Sequence, residues 1–170
     1  MTQIEIAPQR FRNRPGRDYE DFVVGDVYEH RPGRTITEAD NIWFTLLTMN
    51  LHPAHFDSAY ARQTQFKKPL VNSALTLSIV AGMSVADTSF RAIGNLGWTD
   101  IKLPNPVFAG DTLYAESEVL AKRLSSSRPG EGIVTVRTTG TKDDGTIIMT
   151  FERSFLIATA ANAVHGNAGY

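Results

Sequence analysis

The segment NSALTLSIVAGMSVA, residues 72–86, is the most apolar stretch of the chain and decides which folds it can adopt. Apolar side chains fall on almost every face of a helix drawn through Ser73–Ala86, a pattern typical of a helix buried in a protein interior. Asn72 or Ser73 can cap the first turn, because either side chain can accept a hydrogen bond from a backbone N–H. The segment therefore predicts one long buried α-helix.

The chain after Phe90 is rich in β-branched and aromatic residues, and turn-forming residues divide it into four runs. The clearest hairpin turn is Asp143-Asp144-Gly145. Strands that follow one another without intervening helices favour an antiparallel sheet over a doubly wound parallel one. We therefore expect an α+β fold in which an antiparallel sheet wraps around the buried helix. The predicted strands are Ile93–Leu103, Thr112–Lys122, Gly132–Lys142 and Ile147–Ala158.

The region before the buried helix predicts a first strand at Phe22–His30 and a helix that Thr37 caps and that runs to about Met49. A short second helix is predicted at Asp57–Arg62, with Asp57 as its cap. The helix after Thr37 has apolar residues at helical spacing, and we expect them to face the core. These residues are Ile42, Trp43, Leu46 and Leu47.

The length of 170 residues is that of one ordinary domain. We assign an extended N-terminal arm to residues 1–18, the folded domain to residues 19–158 and a flexible C-terminal tail to residues 159–170. With 17 basic and 18 acidic residues, the chain gives no electrostatic reason to expect nucleic acid or a membrane as a partner. The absence of cysteine excludes disulfides and thiolate chemistry. No apolar run approaches the roughly 20 residues of a membrane helix, so we expect a cytoplasmic protein.

The segment TMNLHPAHFD, residues 48–57, is the first of three that carry a resemblance to a known family. It resembles a motif of the MaoC-type and (R)-specific enoyl-CoA hydratases, Gly-Asp-x-Asn-Pro followed by an aliphatic residue and His. Pro53 and His55 coincide with the Pro and His of the motif. Asn50 stands at the position of its catalytic Asp, and His52 at the position of its Asn.

Two further segments extend the resemblance along the chain from about residue 22 to residue 156. PVFAGDT, residues 106–112, matches the family's Pro-Val-x-x-Gly-Asp-Thr junction position by position. Residues 66–80 resemble another stretch of the family, and this chain has Asn72-Ser73 where that stretch usually has His-Gly. Val71-Asn72-Ser73 and residues 95–98 look closest to the mesaconyl-CoA hydratase (β-methylmalyl-CoA dehydratase) branch. That branch handles short, branched dicarboxylic acyl-CoA thioesters. The resemblance implies a hot-dog fold and a homodimer, or a larger assembly of dimers, with the acyl-CoA site at the interface.

Adding water to an α,β-unsaturated thioester requires a base for the proton of the water and a donor for charge on the thioester oxygen. His55 can be the base, because imidazole accepts protons near neutral pH. The backbone N–H of Ser73, unsatisfied at the start of the buried helix, can be the donor, as the corresponding small residue is in the family. Asn50 cannot take up a proton, so we assign it the positioning of water. The alternative is that Asn50 marks a loss of activity.

Four further residues are assigned to substrate binding. His52 contacts a second carboxylate of the substrate, or else only hydrogen-bonds the backbone of its loop. Asn72 stands at the start of the buried helix. Lys67 and Lys68 precede that helix and can meet the phosphates of CoA, although adjacent lysines in a loop are often only solvated.

The remaining histidines give no sign of a further site. His52 and His55 lack a third ligand at a recognised spacing, so we expect no metal. CoA enters only as part of the substrate, so we expect no separate cofactor. His30 and His165 have no evident partners and are expected on the surface.

The resemblance and these residues together predict a hydro-lyase that adds water to, or removes it from, a short branched CoA thioester of the mesaconyl-CoA or itaconyl-CoA type. Two alternatives remain open. One is a hot-dog thioesterase, which hydrolyses the thioester bond of the same kind of ligand. The other is a non-catalytic acyl-CoA-binding protein in which Asn50 replaces a lost base.

Overall fold

The computed structural model of the chain describes residues 2–164, in which three α-helices and seven β-strands form. The helices are α1 (Glu38–Leu47), α2 (Ser58–Ala61) and α3 (Ser73–Ser84). The strands are β1 (Thr2–Ala7), β2 (Arg10–Arg14), β3 (Val27–Thr35), β4 (Ala92–Lys102), β5 (Thr112–Leu124), β6 (Glu131–Lys142) and β7 (Ile147–Ala158).

Five of the strands form one antiparallel sheet in the order β3-β5-β6-β7-β4. Side chains on the central strands alternate between the core and the outer face, as the two-residue period of a strand requires. Helix α3 packs against the inner face of this sheet. An antiparallel sheet around one central helix is the hot-dog arrangement, so the predicted fold class is confirmed.

The side of α3 that faces the sheet is buried, with Ile79 and Val80 among the core residues. Gly140 on β6 allows this close approach, because a Cβ atom there would lie 2.9 Å from Cγ2 of Val80. The opposite side of the helix, with Ala74, Ser78 and Gly82, is exposed in the single chain.

Helix α1 confirms one prediction and contradicts another. Thr37 caps it, accepting a hydrogen bond from the backbone N–H of Asp40 at 3.1 Å. The expectation that its apolar residues face the core is wrong, because Trp43 is 75% exposed and Leu47 is 80% exposed. The buried side of the helix carries Asn41 and Thr45 instead, because the Asn41 side chain bonds to backbone groups of the neighbouring loops and the Thr45 hydroxyl accepts a hydrogen bond from the side chain of Asn72.

The predicted first strand at residues 22–30 is displaced in the structure. Phe22 lies in the core before the strand, and β3 begins only at Val27. The segment at 1–18 contains the hairpin of β1 and β2, and Gly16 then bonds to the body of the protein through its N–H and the carbonyl oxygen of Ala86 at 2.9 Å. The domain boundaries remain a prediction, and His165 lies outside the described residues. None of the helices in residues 2–164 is long and apolar enough to cross a membrane.

His30 is fully buried, so the expectation that it lies on the surface is wrong. Its Nδ1 atom lies 2.9 Å from Oδ2 of Asp87, and its Nε2 atom lies 2.8 Å from Oγ of Ser117. Burial lowers the pKa of His30, and the positive charges of Arg153 and Arg17 act in the same direction, while Asp87 partly offsets them. His30 is therefore a neutral structural residue of the core.

Because the folded protein holds the pKa of His30 below the ordinary value near 6.5, the unfolded chain takes up the proton first as the pH falls. The contribution of neutral His30 to stability is thus complete above about pH 6.5 and is lost below it, by no more than about 1.4 kcal/mol per pH unit. Urea unfolding at about pH 7.5 and about pH 5.5 measures this loss. His30→Gln should be less stable than the wild type at the higher pH and lose less stability on acidification. Equal losses in the two proteins would contradict this account.

Candidate active site

The side chain of Asn41 joins three backbone segments around the candidate site. It is 3% exposed, and its Nδ2 group donates to the carbonyl oxygens of His55 at 2.7 Å and Leu70 at 3.1 Å. Its Oδ1 atom accepts the backbone N–H of Asn72 at 2.9 Å. The loop of His55, the segment at Leu70 and the start of α3 are therefore held by one amide. Asn41 was not among the predicted site residues. The only available signal was that Asn41 and Thr45 are polar and one helical turn apart.

His55 is partly buried, and its Nδ1 atom lies 2.8 Å from the carbonyl oxygen of Leu70. Because a carbonyl can only accept a hydrogen bond, Nδ1 carries the proton in the neutral ring and Nε2 carries the lone pair. Within residues 2–164 no protein group donates to Nε2. His55 thus presents an available proton acceptor, as the base of the predicted reaction requires.

Asn50 follows the C-terminal end of α1. The backbone there forms a hydrogen-bond motif that ends many helices. The N–H of Met49 bonds to the carbonyl oxygen of Leu46 at 3.1 Å, and that of Asn50 to the carbonyl oxygen of Thr45 at 3.0 Å. Met49 has a φ of 58°, a left-handed conformation that usually falls to glycine. Oδ1 of Asn50 accepts the backbone N–H of His52 at 3.1 Å, so its amide nitrogen remains for an external acceptor.

His52 is exposed and caps the short 3₁₀ helix, one turn long, that contains His55. Its Nδ1 atom accepts the backbone N–H of Ala54 at 3.2 Å. The centres of the two imidazole rings are 5.9 Å apart. Asn50, His52 and His55 are therefore brought together in one loop. Asp57 follows them and caps α2 as predicted, accepting from the N–H groups of Ala59 and Tyr60.

The first turn of α3 opens onto a cavity of about 270 Å³ with mostly apolar walls. Ser73 lines this cavity, and within residues 2–164 its backbone N–H donates to no other group of the protein. Asn72, by contrast, is buried: its Oδ1 atom accepts the N–H of Ala74, and its Nδ2 group donates to Oγ1 of Thr45 at 3.2 Å. Asn72 therefore caps α3, as predicted, and its part in substrate binding stays a prediction. The lining residues are Phe66, Leu70, Val71, Ser73, Thr76 and residues 103–107.

Lys67 and Lys68 are exposed on the loop that leads to the same cavity. The Nζ atom of Lys68 lies 4.1 Å from the centre of the Phe108 ring, and Phe108 packs edge-to-face on Phe66 with ring centres 6.0 Å apart. Lys142, 5.7 Å from the same ring, is paired with Asp111 at 2.7 Å, so the exposed positive charge here is that of Lys67 and Lys68. This edge of the cavity can attract an anionic ligand. The described residues contain no cluster of three side chains suited to hold a metal ion.

A model of the mesaconyl-CoA hydratase family matches residues 6–169 of the chain. The chain belongs to the mesaconyl-CoA hydratase family. The resemblance to MaoC-type hydratases, and to this branch in particular, is thereby confirmed.

Individual relatives agree with the family match. A β-methylmalyl-CoA dehydratase from Chloroflexus aurantiacus is 35% identical over 128 residues, which cover 74% of this chain and 35% of that protein. A solved structure from the same organism, described as a MaoC domain dehydratase, aligns with a TM-score of 0.82 at 28% identity, over 87% of this chain and 42% of that one. A Mycobacterium tuberculosis protein with a double hot-dog fold aligns with a TM-score of 0.79 at 23% identity, over 86% of this chain and 46% of that one, which shows the fold alone.

The lengths of these proteins differ from that of this chain. The chain spans between 35% and 42% of the length of three curated relatives that it matches. The single hot-dog unit described above therefore corresponds to part of each of these longer proteins.

Removing the hydrogen bonds of the Asn41 side chain should destabilise the protein. Asn41→Ala leaves two carbonyl groups and one N–H without this partner, and it should lower the free energy of unfolding by about 2–4 kcal/mol. Urea denaturation measures the loss. Glu38→Gln, an exposed change on the same helix, is the control and should change stability by less than about 0.5 kcal/mol. A loss for Asn41→Ala as small as that of the control would show that this amide does not hold the site together.

Proposed function

We propose that this chain is an acyl-CoA hydratase/dehydratase that adds water to, or removes it from, an α,β-unsaturated CoA thioester. The observation that carries the proposal is the hydrogen bond between Nδ1 of His55 and the carbonyl oxygen of Leu70, which leaves Nε2 as an available base. Leu70, which holds the ring of His55, and Ser73 both line the cavity at the start of α3. Membership of the mesaconyl-CoA hydratase family supports the same reaction.

In the proposed hydration, a water molecule gives a proton to Nε2 of His55 as its oxygen forms a bond to the β-carbon of the acyl group. The electron pair of the double bond moves toward the thioester, and the N–H of Ser73 stabilises the negative charge on the thioester oxygen. The proton held on His55 then passes to the α-carbon, which restores the neutral ring. Dehydration follows the same steps in reverse. The amide nitrogen of Asn50 positions the water or a substrate oxygen beside this base.

The finer identity of the substrate is a further part of the proposal. The mesaconyl-CoA hydratase family and the β-methylmalyl-CoA dehydratase named above support a short, branched acyl group of the mesaconyl-CoA type, and the itaconyl-CoA type is kept as part of the same proposal. Lys67 and Lys68 are proposed to meet the phosphates of CoA at its edge.

We also propose that a second hot-dog unit completes the site, in a homodimer or an assembly of dimers. Strand β4 is an edge of the sheet and pairs only with β7 within the described residues. It exposes Ile93, Leu96 and Trp98, with Trp98 44% exposed. An unpaired edge with apolar side chains is typical of a surface that another strand covers.

The proposed function is tested by incubating the purified protein with a panel of enoyl-CoA and 3-hydroxyacyl-CoA thioesters. Both the absorbance of the conjugated double bond and the release of free thiol are followed. A hydratase removes the absorbance without releasing thiol, and this is the expected result. Thiol release would instead identify a thioesterase. Tight binding without either change would identify a binding protein.

The role of His55 gives a direct prediction. Gln cannot accept a proton, so His55→Gln should lower kcat by roughly 10²- to 10⁴-fold, as is typical when a general base is removed. Steady-state kinetics measures the change, and thermal unfolding checks that the variant remains folded. A folded variant with nearly normal kcat would remove His55 from the mechanism.

The two lysines give a different kinetic signature. If Lys67 and Lys68 bind the CoA phosphates, which do not change during the reaction, replacing both with Ala should raise KM and leave kcat nearly unchanged. A double change to Ala of Arg123, near the end of β5, and Arg128, in the β5–β6 turn, removes the same charge elsewhere and should leave KM unchanged. An equal rise in KM for both double variants would show that net charge alone causes the rise.

A further inference from the structure

The outward face of helix α1 is an apolar surface that is open in the single chain. Four side chains of the helix form a groove of about 310 Å³ with apolar walls, which we call the α1 groove. The surrounding sequence, residues 41–56, contains no Asp, Glu, Lys or Arg. An exposed apolar surface without charged residues is typical of a contact between protein molecules. The residues of the groove are Ile42, Trp43, Leu46 and Leu47.

The hairpin of β1 and β2 is an arm that leaves apolar side chains in solvent. Within residues 2–164, these two strands pair only with each other. Phe11 in β2 is 59% exposed, and Ile6 in β1 is 41% exposed. A hairpin of two strands is only marginally stable in water by itself. The arm therefore gains stability from any apolar surface on which it can pack.

The arm and the α1 groove are complementary in chemistry. Side chains alternate along β2, so Phe11 projects from the face opposite to that of Arg10. An aromatic ring suits a groove of this size and apolar character. Glu38 is exposed in the first turn of α1, one helical turn before the groove, and offers a carboxylate to the long side chain of Arg10. Because an exposed ion pair adds little affinity, burial of Phe11 supplies most of it.

The arm and the α1 groove of one chain lie toward opposite ends of α3. The arm joins the body at Gly16, whose N–H bonds to the carbonyl oxygen of Ala86 just after the last turn of α3. Helix α1 is attached at the other end of α3, where Asn72 bonds to Asn41 and Thr45. With 12 residues, α3 is about 18 Å long, whereas the five residues of β2 span about 17 Å. These lengths favour a second copy of the chain as the source of the arm that reaches the groove.

We propose that the arm of one chain docks on a second copy, with Phe11 in the α1 groove and Arg10 at Glu38. The contact uses a surface separate from the β4 edge, so it adds to the pairing of hot-dog units proposed above. Helix α1 also carries Asn41, which holds the loop of His55. The docked arm thus packs on the outer side of the helix that supports the candidate site. The contact does not depend on the hydration reaction.

The test uses chemical crosslinking, because the chain contains no cysteine and introduced cysteines react without background. Asn13→Cys lies on the same face of the arm as Phe11, and Ala39→Cys lies one helical turn before Trp43. With a short bis-maleimide crosslinker, the variant that carries both cysteines should give a product with the mass of two chains or more. Each single variant should give none. The matched control combines Asn13→Cys with Asp143→Cys, on the exposed β6–β7 turn, and should also give none.

The role of Phe11 is tested in the variant with cysteines at both surfaces. Phe11→Ser should lower the initial rate of crosslinking about tenfold or more, because burial of the aromatic side chain supplies the affinity. Val24→Ser, an exposed apolar change outside both surfaces, is the control and should leave the rate unchanged.

Several results would overturn the proposal. The double variant could give no more product than the control with Asp143→Cys, or Phe11→Ser could leave the rate unchanged. A crosslink within a single chain would show that the arm folds back on its own helix. A product of two chains from Ala39→Cys alone would show that the α1 helices of two copies pack on each other instead.

Discussion

The candidate site depends on one buried amide, the side chain of Asn41. Its nitrogen holds the carbonyl oxygens of His55 and Leu70, and its oxygen holds the N–H of Asn72. Leu70 in turn orients the ring of His55, and Asn72 caps the helix whose first residue, Ser73, lines the cavity. Unpaired backbone groups are costly when buried, so each of these bonds restricts the positions that the loop can take. The geometry of base and donor follows from this restriction.

The same constraint explains why helix α1 is oriented against expectation. Its sequence places apolar residues at helical spacing, and this pattern predicts that the apolar side faces the core. The chain instead uses the other side, where Asn41 and Thr45 satisfy polar groups that no apolar residue could satisfy. Trp43 and Leu47 are left exposed as a result. Periodicity identified the helix and its Thr37 cap correctly, but it could not show which loops the helix would meet.

Other features were predictable to different degrees. The α3 segment and the antiparallel sheet follow from the run of apolar residues and from the hairpin signals, because both depend on local patterns. The cluster of Asn50, His52 and His55 follows from a motif within one loop. The burial of His30 could not be seen, since Asp87 and Ser117 come to it from distant parts of the chain. The protonation of His55 likewise depends on a carbonyl 15 residues away.

The central claim is that Leu70 fixes the neutral ring of His55 with its lone pair on Nε2. Long-range ¹H–¹⁵N NMR spectra of the labelled protein report which ring nitrogen carries the proton, and His55→Gln assigns the signals. We expect Nδ1 of His55 to be protonated and Nε2 to be bare at a pH where the ring is neutral. A neutral His55 with its proton on Nε2 would leave no base at the site and would contradict the account.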